Sequence, residues 1–268
     1  MIVWLASYPK SGNTWLRLFL KSYFSNIKNN FNLGAFLEEN DLRELDINYC
    51  NYLEIVKNWR TLQNKINLNG KTNLLKTHNA MCTINKIKFS DKSNTAGGIY
   101  LIRDPRDVLI SFSKHLGQTY NEVLNGMLDS KNSELATDKF GKDFRKTIMG
   151  KWSDHYNSWI NYKECEVLVI KYENLINDTN NQFLKILKYL KKIEDFEINH
   201  KYMEQAIKNT SFKKLQKNEK EFGFEEASKH SPFFRSGKCG QWKTKLDSRI
   251  LIKIEEAFKK EMKLLNYL

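Results

Sequence analysis

The run Ile2-Val3-Trp4-Leu5-Ala6-Ser7 leads directly into Tyr8-Pro9-Lys10-Ser11-Gly12-Asn13-Thr14-Trp15, and Leu16, Phe19, Leu20 and Tyr23 follow at i, i+3, i+4 and i+7. A short continuous apolar run that ends at a Pro/Gly break reads as a strand buried on both faces. The spacing after it reads as a helix with one apolar stripe. The segment between them therefore lies at a helix N-terminus, where unpaired N–H groups and the helix dipole attract an anion. Each residue type there suits that task. Gly12 lets the backbone approach an oxyanion closely, Lys10 carries a mobile positive charge, and Ser11, Asn13 and Thr14 offer short side-chain donors. Any one of these residues is compatible with a plain strand-to-helix turn, but the whole set in this order reads as phosphate-binding chemistry.

Further along the chain, Asn73 to Lys76, Ile99 to Ile102 and Val167 to Ile170 are similar apolar runs. Helical patterns separate them. Asp104 can cap a helix with Pro105 in its first turn, continued by Val108, Leu109 and Phe112. Asn177, Asp178 and Thr179 offer caps for a helix carrying Phe183, Leu187 and Leu190. One last helix is expected through Leu251, Ile254, Phe258, Met262 and Leu265. Strands alternating with helices predict an α/β fold, a central mostly parallel sheet flanked by helices. Three polar stretches, roughly Ser25 to Gly70, Gly117 to Gly150 and Ile193 to Ser231, read as partly helical excursions around the sheet. With no repeat and no linker in its 268 residues, the chain is expected to form a single domain over 1–268.

Composition narrows the function classes. The net charge of +13 predicts a field that draws anions, but the abundant Lys is spread along the chain without a block, so no nucleic-acid partner is expected. Cys50, Cys82, Cys165 and Cys239 lie far apart and form no C-x-x-C pair, which argues against a zinc cluster or a dense disulfide framework. His78, His115, His155, His200 and His230 are dispersed, so no metal is expected. The start shows no charged leader, and no run approaches the roughly 20 apolar residues of a membrane span. A cytoplasmic location is the expectation.

Two more segments carry chemistry. Arg103 follows the strand Ile99 to Ile102, and Ser111 lies eight residues later, about two helical turns on, so both can reach one anion beyond the carboxyl end of the sheet. Alternatively, Arg103 pairs with Asp104 or Asp107 as a structural salt bridge. Lys76-Thr77-His78 ends a second strand. A lone histidine is more often structural than catalytic, yet this one stands where chemistry belongs in such a fold.

Together these segments resemble the cytosolic-type, PAPS-dependent sulfotransferases. Tyr8 to Trp15 is similar to the family's 5′-phosphosulfate signature Y-P-K-S-G-[TN]-T-W, with Asn13 where many animal members have Thr. Arg103, Asp107 and Ser111 fit R-x-x-x-D-x-x-x-S, and Phe234 to Lys243 resembles F-x-R-K-G-x-x-G-x-W-K, with Ser236 where Lys is common. The resemblance implies a P-loop-NTPase-like sulfotransferase fold. It implies PAPS (3′-phosphoadenosine-5′-phosphosulfate) as donor and PAP as product, with Arg103, Ser111, Arg235, Ser236 and Gly237 on the 3′-phosphate. It also implies adenine contacts by Tyr172, Thr210 and Phe212 with Trp15 stacking, although these four also read as core packing. In K-T-H it implies His78 as general base, with Lys76 steadying the sulfuryl oxygens and Lys10 neutralising the leaving phosphate.

A small-molecule kinase is the main alternative, but it would need Lys after the loop's second Gly and an acidic residue for Mg²⁺. A basic nucleic-acid-binding protein would leave the ordered loops unexplained. The acceptor, a small molecule or carbohydrate, is expected against the polar excursions, where Tyr120, Phe140, Phe222, Phe224 and Phe233 form either an apolar wall for it or a small local core. Lys243 to Phe258 holds no clear copy of the family's dimer motif, which leaves the oligomeric state open.

Overall fold

A computed structural model describes residues 1–35, 52–137 and 143–268, with side chains left aside at 35, 134–137 and 143–146. Five strands form one sheet: β1 (Ile2–Ser7), β2 (Phe31–Ala35), β3 (Thr72–Thr77), β4 (Thr95–Ile102) and β5 (Val167–Lys171). Their order is β2-β3-β1-β4-β5, and every pairing is parallel. β1 therefore sits in the middle, and its six residues are all buried. Ile2, Trp4 and Ala6 point into one hydrophobic layer and Val3 and Leu5 into the other, which is why the segment reads as uninterrupted apolar sequence rather than as alternation.

Helices cover both faces. On one side α1 (Asn13–Phe24) contributes Leu16, Phe19, Leu20 and Tyr23, all fully buried, against Val3 and Leu5. On the other, α2 (Tyr52–Asn67) places Ile55, Val56, Trp59 and Leu62 beneath Trp4 and Phe89. α3 (Pro105–Leu116) begins as expected, with the Asp104 carboxylate accepting from the Arg106 N–H at 2.9 Å and Pro105 as its first residue. α4 (Tyr120–Leu128) opens with a capping box between Thr119 and Glu122. α5 (Trp152–Ile160), α6 (Tyr172–Asn177), α7 (Thr179–Lys191), α8 (His200–Asn209) and α9 (Phe212–Phe222) follow.

The structure corrects three readings. The stretch 25–70, read as a partly helical excursion around the sheet, supplies helix α2 but also the edge strand β2. β2 is short and carries Asn32 and Gly34, so its apolar signal is weak, and only pairing with β3 defines it. The single terminal helix is two, α11 (Ser248–Ala257) and α12 (Lys259–Leu264), preceded by the single turn α10 (Trp242–Lys245). Phe258 leaves helical geometry at the break, and its ring and the Met262 side chain lie in the same core. In α11 the buried residues are Ile250 and Ile254, and Leu251 is only half-buried. Among the described residues, no helix is long and apolar enough to cross a membrane.

Parallel registry brings every strand's carboxyl end to one rim. Leu5 lies beside Lys76 and Ala6 beside Thr77. Ser7 lies beside Leu101, and Ile102 beside Lys171. The chain after β1, β3, β4 and β5 thus leaves the sheet along one edge, each strand end about 5 Å from its neighbour's.

Candidate active site

A cavity of about 640 Å³ opens at this rim. Its walls bring together Lys10, Gly12, Asn13, Thr14 and Trp15 from the first loop, Lys76 and His78 from the end of β3, and Arg103 and Ser111 from the β4–α3 junction. Tyr172, Thr210, Phe212, Arg235, Ser236 and Gly237 complete it. Of the catalytic and cofactor-binding residues expected in the site, Ser11 alone does not line the cavity. Its side chain is 1% exposed and its hydroxyl lacks a partner.

The first loop is built for close approach. Gly12 has φ +101°, and a Cβ there would lie 2.6 Å from the Tyr172 ring, so only glycine fits. Lys10 also has positive φ, +66°, and its ammonium lies 4.0 Å from the centre of the Phe233 ring. Burial, helped by Arg103 and Lys76 and opposed by Glu226, lowers its pKa to about 8. Asn13 departs from the expected role. Its amide N–H groups are spent on the Leu5 carbonyl (2.8 Å) and the Ser7 hydroxyl (3.3 Å), anchoring the loop to β1. Only its backbone N–H, in the first turn of α1, remains suited to an anion.

Arg103 makes the structural ion pair and also lines the cavity. It lies 4.0 Å from Asp107 as an i,i+4 pair. It also donates to the Lys10 carbonyl and the Lys238 carbonyl, each at 3.1 Å, and stacks on Tyr172 at 4.3 Å. Its Nε has no partner. Asp107, whose part the motif alone did not reveal, accepts from the backbone N–H groups of Gly240 (2.6 Å) and Trp242 (3.2 Å). This carboxylate ties the segment 235–242 to α3 beside Arg103. Arg106 reinforces the tie by pairing with Asp104 and Glu255 and lying 3.6 Å over Trp242. Gly237 has φ +60°, and a Cβ there would meet the Phe212 ring at 2.5 Å. Arg235 donates to the Gln241 side chain at 3.2 Å.

His78 is held in one orientation. Its Nδ1 lies 2.7 Å from the Ser7 carbonyl oxygen, which can only accept, so Nδ1 carries the proton and Nε2 keeps its lone pair. Burial, seconded by Lys76, pushes its pKa well below 6.5, while the bond to Ser7 opposes this. The backbone of His78 is fixed as well. His155 donates through Nε2 to its carbonyl at 3.0 Å, and Tyr100 in turn donates to His155 Nδ1 at 2.8 Å. Burial lowers the His155 pKa to about 4, keeping it neutral.

The aromatic residues at the cofactor end behave in two ways. Tyr172 supports Arg103 and packs on Gly12, while Trp15 stands edge-on to Tyr172 and Phe183 with its indole N–H unpartnered. Thr210 spends its hydroxyl on the Ala206 carbonyl. The expected apolar wall for an acceptor is not found. Phe222 is 83% exposed at the end of α9, and Phe224 packs with Phe233 and Phe234. Tyr120 packs against the core, Phe140 lies outside the described residues, and of the four described only Phe233 lines the cavity. The cavity is also lined by Gln118, Glu122, Asn132 and Ser133 together with Val123 and Met149. Two charged neighbours were not legible from motifs: Arg17, one turn after Asn13 and Thr14, and Glu226, from the loop after α9.

The described side chains suit a nucleotide with two anionic ends. The unpartnered Arg103 Nε and Trp15 Nε1 belong to residues that line this cavity, and Gly12 and Gly237, where a Cβ would strike Tyr172 and Phe212, let the backbone border it closely.

Comparison with known proteins agrees. The sulfotransferase domain model matches residues 2–266. Mouse sulfotransferase 1E1 is 25% identical over 275 residues, covering 97% of this chain and 82% of that protein. Rabbit amine sulfotransferase is 25% identical over 268 residues, covering 97% and 80%. The structure of mouse sulfotransferase SULT7A1 complexed with PAP superimposes with a TM-score of 0.66 at 20% identity, covering 97% of this chain and 84% of that one. Retinol dehydratase in complex with androsterone and the inactive cofactor PAP gives 0.61 at 14%, covering 98% and 80%. With a family model matched along almost its whole length and the fold shared, this chain belongs to the PAPS-dependent sulfotransferase family.

Proposed function

We propose that this protein, as one domain over 1–268, transfers a sulfuryl group from PAPS to a hydroxyl or amine of a small-molecule or carbohydrate acceptor, with His78 as general base. The observation that carries this reading is a single cavity walled by the Lys10 loop, by Arg103, Ser111 and Arg235, and by His78. When bound, PAPS would supply an already activated sulfuryl group, so the protein's task is alignment and charge stabilisation. The loop 10–15 and the first turn of α1 would hold the 5′-phosphosulfate. Arg103, Ser111 and the backbone of Ser236 and Gly237 would hold the 3′-phosphate, with Arg235 beside them. Trp15, Tyr172, Thr210 and Phe212 line the part of the cavity left for the adenine. Lys10 would neutralise the leaving phosphate and Lys76 the sulfuryl oxygens. His78 Nε2, unprotonated at neutral pH, would take the acceptor's proton. The likeness to PAP-bound structures supports the donor assignment, and the rabbit relative's name keeps amines among the acceptor classes.

Titration calorimetry with PAP and 5′-AMP tests the donor reading. Wild type should prefer PAP, and Arg103→Ala should reduce that preference roughly 10- to 100-fold, the worth of one charge-assisted contact. An unchanged preference removes Arg103 from the 3′-phosphate.

The pH profile follows from the two shifted groups. His78 sits well below 6.5 and is already neutral at neutral pH, whereas Lys10 loses its charge as pH rises through about 8. For the free enzyme kcat/KM should therefore be level through neutrality and fall above about pH 8. A rate still climbing through pH 7 would contradict the depressed imidazole.

A further inference from the structure

The loop after α9 places a carboxylate where the first loop would meet a phosphate. Glu226 Oε2 accepts from the Thr14 hydroxyl at 2.7 Å, and Oε1 pairs with the Arg17 guanidinium. Arg17 is held against the same loop, donating to Asn13 Oδ1 at 3.2 Å and to Thr14 Oγ1 at 3.3 Å. The carboxylate's field also reaches the loop's cation, since Glu226 works to keep the Lys10 ammonium protonated. Partly withdrawn from water, at 22% and 24% exposure, the pair is more than a solvated surface contact.

Thr14 has one hydroxyl proton and can give it to Glu226 or to a phosphate, not to both. Two anions on one donor would also repel each other at close range with little water to screen them. Glu226 and a 5′-phosphosulfate therefore compete for the same partners. We propose that Glu226 is an internal stand-in for the donor's 5′ anion, and that nucleotide binding transfers Thr14 and Arg17 from this carboxylate to the 5′-phosphosulfate. Arg17 thereby becomes a binding residue of the donor site. The inference rests on the PAPS reading above. It gives the connecting segment a second task, because the same stretch of chain carries Phe233 against Lys10 and Arg235 to Gly237 at the 3′ end. Beyond Glu226 that stretch is anchored by Glu219, which accepts from the N–H groups of Phe233 (2.6 Å) and Phe234 (2.8 Å). Release of Glu226 can thus free residues near 226 while the 3′ end stays in place.

The test is calorimetric binding of PAP, 5′-AMP and adenosine 3′-monophosphate to wild type, Glu226→Gln, Arg17→Gln and the double variant. Glu226→Gln should tighten PAP and 5′-AMP about tenfold and leave adenosine 3′-monophosphate unchanged. Arg17→Gln should weaken PAP and 5′-AMP about tenfold in either background, again sparing the 3′-monophosphate. If Glu226 merely anchors its loop, Glu226→Gln will weaken all three ligands or change none, and the proposal falls while wild-type binding of PAP keeps the PAPS reading intact. Wild type that binds no PAP brings down that reading and this inference with it.

Discussion

Replacing His78 with alanine should lower kcat by about 10²- to 10⁴-fold, the usual worth of a positioned general base, while the Kd for PAP changes less than about twofold. The split follows from where the ring is held. Its Nδ1–H is committed to the Ser7 carbonyl at 2.7 Å, and its carbonyl is gripped by His155 at 3.0 Å, so the imidazole serves the reaction through the one free nitrogen, Nε2. Burial and Lys76 keep that nitrogen unprotonated, ready to accept a proton. Rapid-quench turnover with labelled PAPS and a saturating acceptor measures the rate, and calorimetry with PAP measures the binding. Near-normal turnover in His78→Ala would end the base assignment. A parallel loss of PAP affinity would instead recast His78 as part of the fold of the β3 end.

Lys10→Ala should lower kcat by about 10²- to 10³-fold, the cost of removing one preorganised donor from a developing charge, and should weaken PAP only about tenfold. The asymmetry comes from the other donors. First-turn N–H groups of α1, and Thr14 once free of Glu226, would still hold a ground-state phosphate, whereas charge growing on the leaving oxygen would lose its cation. Lys10 is suited to that role because it is poorly solvated, with its ammonium over Phe233 and its pKa lowered by burial to about 8. Single-turnover rates across pH provide the check: the variant should lose the wild type's fall above about pH 8 along with most of its rate. A variant that keeps the same alkaline fall would show that another group titrates there.

The main architecture was legible along the chain because it rests on local signals. Ile2 to Ala6 and Ile99 to Ile102 are apolar without interruption because a central parallel strand is covered on both faces, whereas Val167 to Ile170 forms edge strand β5 and buries only Ile170 fully; the α1 stripe records its one buried face directly. Gly12 and Gly237 stand where a Cβ would strike an aromatic ring, and Lys10, Arg103, Ser111 and His78 follow strand ends, so the anion-binding character of the rim was written in short stretches. The rest depends on partners far apart in sequence. Edge strand β2 acquires its identity only from β3, and the tautomer of His78 is set by a carbonyl 71 residues away. Asn13 has the right chemistry for a phosphate, but the fold spends its amide on Leu5 and Ser7. The contact of Thr14 with Glu226 spans 212 residues and leaves no local pattern at either end. The motif from Tyr8 to Trp15 specifies the strand-to-helix turn because its reasons are steric and local, whereas which side-chain donors of that turn are already engaged is decided only when β1 and the loop after α9 pack against it.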